Sequence, residues 1–127
     1  AMNELITKAI QMMKKARAPY SNYSVGAAIK IDEKTIVGGC NIENASYPLS
    51  MCAERTALFS AIAQGHRQFI SMAIATKTGG TPCGSCRQVI WELCGEIPIF
   101  ICDENGIINE TSSGALLPVP FDKNHLT

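Results

Sequence analysis

Two stretches of this 127-residue chain, "FISMAIAT" (69–76) and "IPIFICD" (97–103), are almost unbroken apolar runs. A strand with one face in water alternates polar and apolar residues, so such runs belong where both faces of a sheet are covered. The covering layers must come from helices elsewhere in the chain. Leu5, Ile6, Ala9, Ile10, Met12, Met13 and Ala16 recur at helical spacing, which predicts an amphipathic helix over 3–17, ended by Pro19. "SVGAAIKI" and "TIVGGCNI" read as the strands of an antiparallel hairpin around the charged turn "DEK". Past the loop "ENASYPLS", a second helix is expected to start near Cys52 and stop at Gly65. A third follows the loop "KTGGTP", with Pro82 in its first turn and Gly95 as its cap after Cys94. The turn "ENG" then leads into a short edge strand, "IINETSS", and "GALLPVPF" is apolar but broken by two prolines. The order α-β-β-α-β-α-β-β predicts one sheet sandwiched between helices, in a single domain spanning 1–127.

Charge narrows the function classes. Eleven basic and eleven acidic residues cancel, and no run of Lys or Arg offers a surface to nucleic acid or to a membrane. No stretch approaches the roughly 18–20 apolar residues needed to cross a bilayer, and Lys8, Lys14 and Lys15 interrupt the N-terminal segment, so no signal peptide is expected. A cytoplasmic location follows. There thiols stay reduced, and clustered cysteines point to metal or catalysis rather than to cross-links.

Three of the six cysteines fall at two predicted helix starts, in "SMCAERTALFSA" and "TPCGSCRQVIWEL". Cys83 and Cys86 are three apart in a first turn and share a face, so they can point at one centre; Cys52 begins the preceding helix. Helix N-termini favour thiolate over thiol. Three thiolates suit a zinc ion and leave its fourth tetrahedral position open, the arrangement of a catalytic rather than a structural site. Glu54, two residues after Cys52, is placed to act as general acid and base on a water there, so the chemistry inferred is hydrolytic. Other readings stay open on these residues alone. "CGSC" at a helix start also fits a thioredoxin-like redox pair, and a closed structural zinc site would take a fourth ligand from Cys40, Cys94 or Cys102. Those three read as buried free thiols in apolar elements, and His66 and His125 as solvated.

The combination resembles a known family. "Cys52-Ala53-Glu54", followed some thirty residues on by "Pro82-Cys83-Gly84-Ser85-Cys86", is similar to the signature of the zinc-dependent cytidine deaminases. The resemblance extends through "APYSNYSVGAA", "NIENASYP", "CAERTAL", "PCGSCRQV" and "ALLPVPF", in the order found in the small enzymes that act on free nucleosides. It implies an α/β/α sandwich around a five-stranded mixed sheet and one zinc per chain, held by Cys52, Cys83 and Cys86. It implies water attack at C4 of the pyrimidine ring, with Glu54 carrying protons to N3 and to the departing ammonia. Cytidine and deoxycytidine would be converted to uridine and deoxyuridine, a step of pyrimidine salvage. A sibling activity on an aminopyrimidine antibiotic such as blasticidin S would share the zinc motifs.

Further roles follow from the same resemblance. Ala53 would contact the pyrimidine amide edge, and Asn41 and Glu43, two apart on a strand and so on one face, would hold the ribose hydroxyls. Tyr23 stands where these enzymes often carry Phe, which keeps an aromatic wall and adds a hydroxyl. Arg55 would hydrogen-bond the cysteine sulfurs and drain charge from a centre of three thiolates, with Gln88 in support. The small enzymes of this family are homotetramers, so Phe121 is expected to stack on the pyrimidine of a neighbouring chain, with Tyr47 near the same interface. The second helix fits that picture, because its apolar residues spread around the whole circumference and one sheet cannot cover them all.

Overall fold

The structure, a computed structural model, describes residues 2–126. Five strands form one mixed sheet: β1 (Val25–Lys30), β2 (Ile36–Cys40), β3 (Ser71–Thr76), β4 (Pro98–Asp103) and β5 (Gly106–Ser112), in the order β2-β1-β3-β4-β5. Helix α1 (Met2–Met13) packs on one face, and α2 (Ala53–Ala63) and α3 (Gly84–Cys94) pack on the other. This is the expected α/β/α sandwich. A one-turn helix, α4 (Ser113–Leu116), follows β5, and 3-10 turns occupy Tyr47–Leu49 and Lys123–Leu126.

Side-chain alternation along the central strands builds two cores. Ala27 and Ile29 of β1, Met72 and Ile74 of β3, and Ile99 and Ile101 of β4 join Ala57, Leu58 and Ile90 under α2 and α3. The intervening Ala28, Ala73, Ala75, Phe100 and Cys102 meet Leu5, Ile6, Ala9 and Met13 of α1. All six residues of β3 are buried, which is why its sequence carries no polar alternation. Two glycines set the spacing between layers. A side chain at Gly26 would strike the backbone of α1 at Ala9 and Met13, and one at Gly39 would strike the backbone of α2 at Ala53 and Ala57.

The topology explains how cysteines far apart in sequence can meet. Strand β1 is antiparallel to both β2 and β3, so β2 and β3 run the same way and finish at the same edge of the sheet. The chain leaves β2 towards α2 and leaves β3 towards α3, and both helices therefore begin over that edge. In sheets of this kind the loops beyond the strand ends form the crevice where ligands bind.

Several boundaries differ from expectation. Helix α1 stops at Met13 rather than 17, well before Pro19. The backbone of Arg17 is captured instead by the segment after β2: its N–H donates to Asn41 O at 3.0 Å, and its carbonyl accepts from Glu43 N at 2.8 Å. Strands β1 and β2 are shorter at both ends than their apolar runs, and "GALLPVPF" contributes to α4. Pro82 and Cys83 lie just outside α3, with Cys83 as its N-cap. Of the three cysteines expected to be buried, Cys102 is, whereas Cys40 and Cys94 are half-buried.

Candidate active site

The thiols of Cys52, Cys83 and Cys86 lie within 4.8 Å of one another. Cys52 is the N-cap of α2 and Cys83 the N-cap of α3, with Cys86 in the first turn. Neither N-cap side chain bonds its helix, so both sulfurs are free to turn towards the common centre. The Cys52 thiol is held well below its ordinary value, chiefly by a hydrogen bond from the Cys86 thiol and then by Arg55. Cys86, the proton donor of that pair and a buried one, is correspondingly pushed up. Arg55 donates from Nη2 to Cys52 Sγ at 3.3 Å, while its Nε is buried without a partner. A thiolate stabilised by a neighbouring thiol and a guanidinium, at two helix N-termini, suits a soft divalent cation. The three sulfurs fit zinc.

Glu54 is 4% exposed in the first turn of α2. Burial pushes its carboxyl up to about 7, and the negative charge of Cys52 adds to the effect. An acid so placed exchanges protons near neutral pH, as a general acid and base must.

Glu54, Cys52 and Cys83 face a cavity of about 440 Å³, while Cys86 is fully buried. Tyr23, Asn41, Glu43, Tyr47 and Ala53 line it with them, so the structure brings these sequence-selected residues together. Asn41 and Glu43 follow β2 rather than lying within it, yet the segment stays extended because Ile42 and Met51 exchange two backbone hydrogen bonds, each 2.9 Å. Asn41 is locked by its own amide: Oδ1 accepts from Val25 N at 2.9 Å, and Nδ2 donates to Tyr23 O at 2.8 Å. The Glu43 carboxylate accepts from the Tyr20 and Ser21 amides at 2.9 and 3.0 Å and from the Ser21 hydroxyl. The hydroxyl is the main reason that its carboxyl sits below the ordinary range. Tyr47 is 71% exposed, its ring set edge-on against Tyr20.

Two residues stand apart from this cavity in a single chain. Phe121 does not line it; the ring is 58% exposed and stacks on His125 with centroids 5.3 Å apart. His125 is exposed, as expected, and its Nδ1 also accepts from Asp122 N at 3.1 Å. Gln88 donates to the Phe121 carbonyl at 2.6 Å, anchoring the C-terminal segment. Sequence reasoning missed Arg87, which clamps the cysteine turn through Pro82 O at 2.7 Å, Thr81 Oγ1 at 2.9 Å and Leu116 O at 3.0 Å. It also missed Arg17, and it gave no role to Tyr20 and Ser21, although both fall within "APYSNYSVGAA".

This geometry has close parallels. Residues 1–102 match the family described as the cytidine and deoxycytidylate deaminase zinc-binding region. A cytidine deaminase of Sporosarcina psychrophila is 43% identical over 129 residues, spanning 99% of this chain and 95% of that protein. The crystal structure of a cytidine deaminase from Burkholderia pseudomallei superposes with a TM-score of 0.88 at 46% identity, covering 95% of this chain and 99% of that one. A blasticidin-S deaminase of Bacillus cereus is more distant, at 25% identity. The chain belongs to the cytidine and deoxycytidylate deaminase family. It is a hydrolytic deaminase with a zinc-binding region, and that membership decides between the readings the cysteines alone left open.

Proposed function

We propose that the chain hydrolyses the 4-amino group of cytidine and deoxycytidine, consuming one water and yielding ammonia with uridine or deoxyuridine, as a cytoplasmic step of pyrimidine salvage. The observation that carries this reading is a buried, protonatable Glu54 beside three converging cysteine sulfurs, with Glu54, Cys52 and Cys83 on the wall of one cavity. Cys52, Cys83 and Cys86 would hold a zinc ion, which would supply Lewis-acid activation of water. Glu54 takes one proton from the attacking water and delivers it to N3, then carries the second, from the C4 hydroxyl, to the departing nitrogen, which leaves as ammonia. The Ala53 backbone meets the pyrimidine amide edge. Arg55 withdraws charge from Cys52 Sγ, which offsets the excess negative charge of three thiolates.

Asn41 and Glu43 hold the sugar. Their hydrogen bonds to the backbone of residues 20–25 fix both groups before substrate arrives, so little ordering remains to be done on binding. An ionised Glu43 accepts from a ribose hydroxyl and repels a phosphate there, which favours free nucleosides over nucleotides.

The active assembly is a homotetramer with shared sites. Phe59 on the outer side of α2, Tyr47, Leu49, Val119 and Phe121 are all exposed in one chain. Val119 is a β-branched residue at φ 51°, 96% exposed, a conformation that persists only where surroundings impose it. A neighbouring chain covering this segment imposes it, and brings Phe121 over the pyrimidine of the adjoining site. Ultraviolet assays of substrate loss test the function. Cytidine and deoxycytidine should be consumed, and cytidine monophosphate, cytosine and adenosine left intact; no loss of either nucleoside would overturn the reading.

A further inference from the structure

Gly80 lies in the loop 77–82 between β3 and α3 and lines the cavity together with Tyr23. The loop is held firmly. Gly80 N donates to the hydroxyl of the buried Thr76 at 2.8 Å, and Arg87 fixes Thr81 and Pro82. Tyr23 is also fixed, but only at its backbone: its N–H donates to Ser21 Oγ at 3.0 Å, and its carbonyl accepts from Asn41 Nδ2 at 2.8 Å. The phenol ring remains. It is half-exposed, and its hydroxyl has no hydrogen-bond partner among the described residues, so contact alone decides where it rests.

That contact is with Gly80. A methyl group on the Gly80 α-carbon would strike the Tyr23 hydroxyl oxygen, whereas the next ring atom, Cζ, lies at 3.7 Å and Thr76 Oγ1 at 3.9 Å, both ordinary van der Waals distances. Gly26 and Gly39 differ in kind, because a side chain there meets helix backbone and would disturb the fold. Gly80 does not adopt the left-handed conformation that calls for glycine either, unlike its neighbour Gly79 at φ 70°. The need for a glycine here comes from one oxygen atom of a residue on the cavity wall.

We propose that Gly80 is a positioning residue for the substrate: its bare α-carbon seats the Tyr23 hydroxyl against the loop and so fixes the phenol ring as a wall of the cavity. With a larger residue at 80 the ring must leave that seat, and the wall on which a pyrimidine nucleoside packs is lost while Glu54 and the cysteines stay where they are. The inference rests on the function proposed above and adds a residue to it.

The test is a double-mutant cycle in the zinc-loaded protein, with cytidine as substrate and calorimetric binding of uridine as a second readout. Gly80→Ala should raise KM and the uridine Kd about five- to tenfold, the size of one lost aromatic contact, with kcat within about twofold of wild type. In a Tyr23→Phe background the same substitution should change both constants by less than about twofold, because the atom the methyl would strike is gone. An unchanged KM in Gly80→Ala, or an effect that persists undiminished in the Tyr23→Phe background, overturns the inference. If Gly80→Ala alone does not fold, the double variant must fold and bind uridine, and its failure to do so is equally decisive against the proposal. Failure of the functional reading shows separately, as a wild-type protein that neither consumes cytidine nor binds uridine, and it takes this inference with it.

Discussion

Replacing Glu54 by Gln should make the metal-free protein more stable and the enzyme nearly inactive. Glu54 is 4% exposed, and its carboxyl is raised from an ordinary 4.5 to about 7, mainly by burial. A raised folded-state value means that the native protein holds the proton more tightly than the unfolded chain does. The associated stability is whole below pH 4.5 and is lost as pH rises through about 7. The interval corresponds to about 3 kcal/mol at alkaline pH, a substantial share of the about 5–15 kcal/mol that holds a typical domain together. Glutamine keeps the shape of the protonated acid and does not titrate. In chelator-treated, reduced protein the Gln variant should therefore match wild type near about pH 4 and exceed it by about 3 kcal/mol above about pH 8. The Cys52–Cys86 pair is present in both chains, and its repulsion of an ionised Glu54 adds to the gap at high pH. Urea midpoints at the two pH values, converted with a common slope, measure the gap. The same substitution removes the proton carrier, so kcat should fall at least about 10²-fold. A stability gap equally large at both pH values would show that burial does not hold the acid protonated. A Gln variant within about tenfold of wild-type turnover would show that protons travel by another group.

What the sequence discloses of this molecule depends on whether a constraint is local. Strands β3 and β4 are legible because burial on two faces forbids polar residues along the run. The metal centre is legible because three thiols at two helix starts, beside one carboxylate, match the zinc-binding pattern of the family. Asn41 and Glu43 are singled out by the family resemblance, and their spacing adds that they share a side even past the end of β2, because an extended segment keeps the period of two whether or not it belongs to a strand. The end of α1 is not legible. Local pattern favours helix through Ala16, and only the pairing of Arg17 with residues 41–43, distant in sequence, draws the chain away. Arg87 is hidden for a related reason: two of its three partners are carbonyl oxygens, which every residue possesses and which folding alone brings into reach. Gly80 reads in "KTGG" as one more loop glycine. Its meaning depends on a hydroxyl contributed from 57 positions upstream, at Tyr23.

The remaining predictions concern metal and assembly. Metal analysis should find one zinc per chain, and Cys83→Ser, which removes a sulfur at the N-cap of α3, should lose most of it. Arg55→Ala removes the donor to Cys52 Sγ and should weaken zinc retention or turnover about 10–100-fold; if neither changes, the helix N-termini alone balance the thiolate charge. Shared sites make the sharpest claim. Light scattering should report about four chains. Phe121→Ala, by removing a ring that stands outside the active-site cavity of its own chain, should lower kcat/KM about tenfold without releasing zinc. Glu54→Gln chains are inactive yet still carry Phe121, and Phe121→Ala chains still carry Glu54. If Phe121 serves a neighbour, dissociating and reassembling an equal mixture creates sites that hold both intact groups. Random assembly then raises activity about fivefold over the mean of the two parents. If Phe121 served its own chain, no such site would arise on mixing and the activities would simply average. A reassembled mixture at the parental mean would therefore refute the shared site, even if the protein proved to be a tetramer.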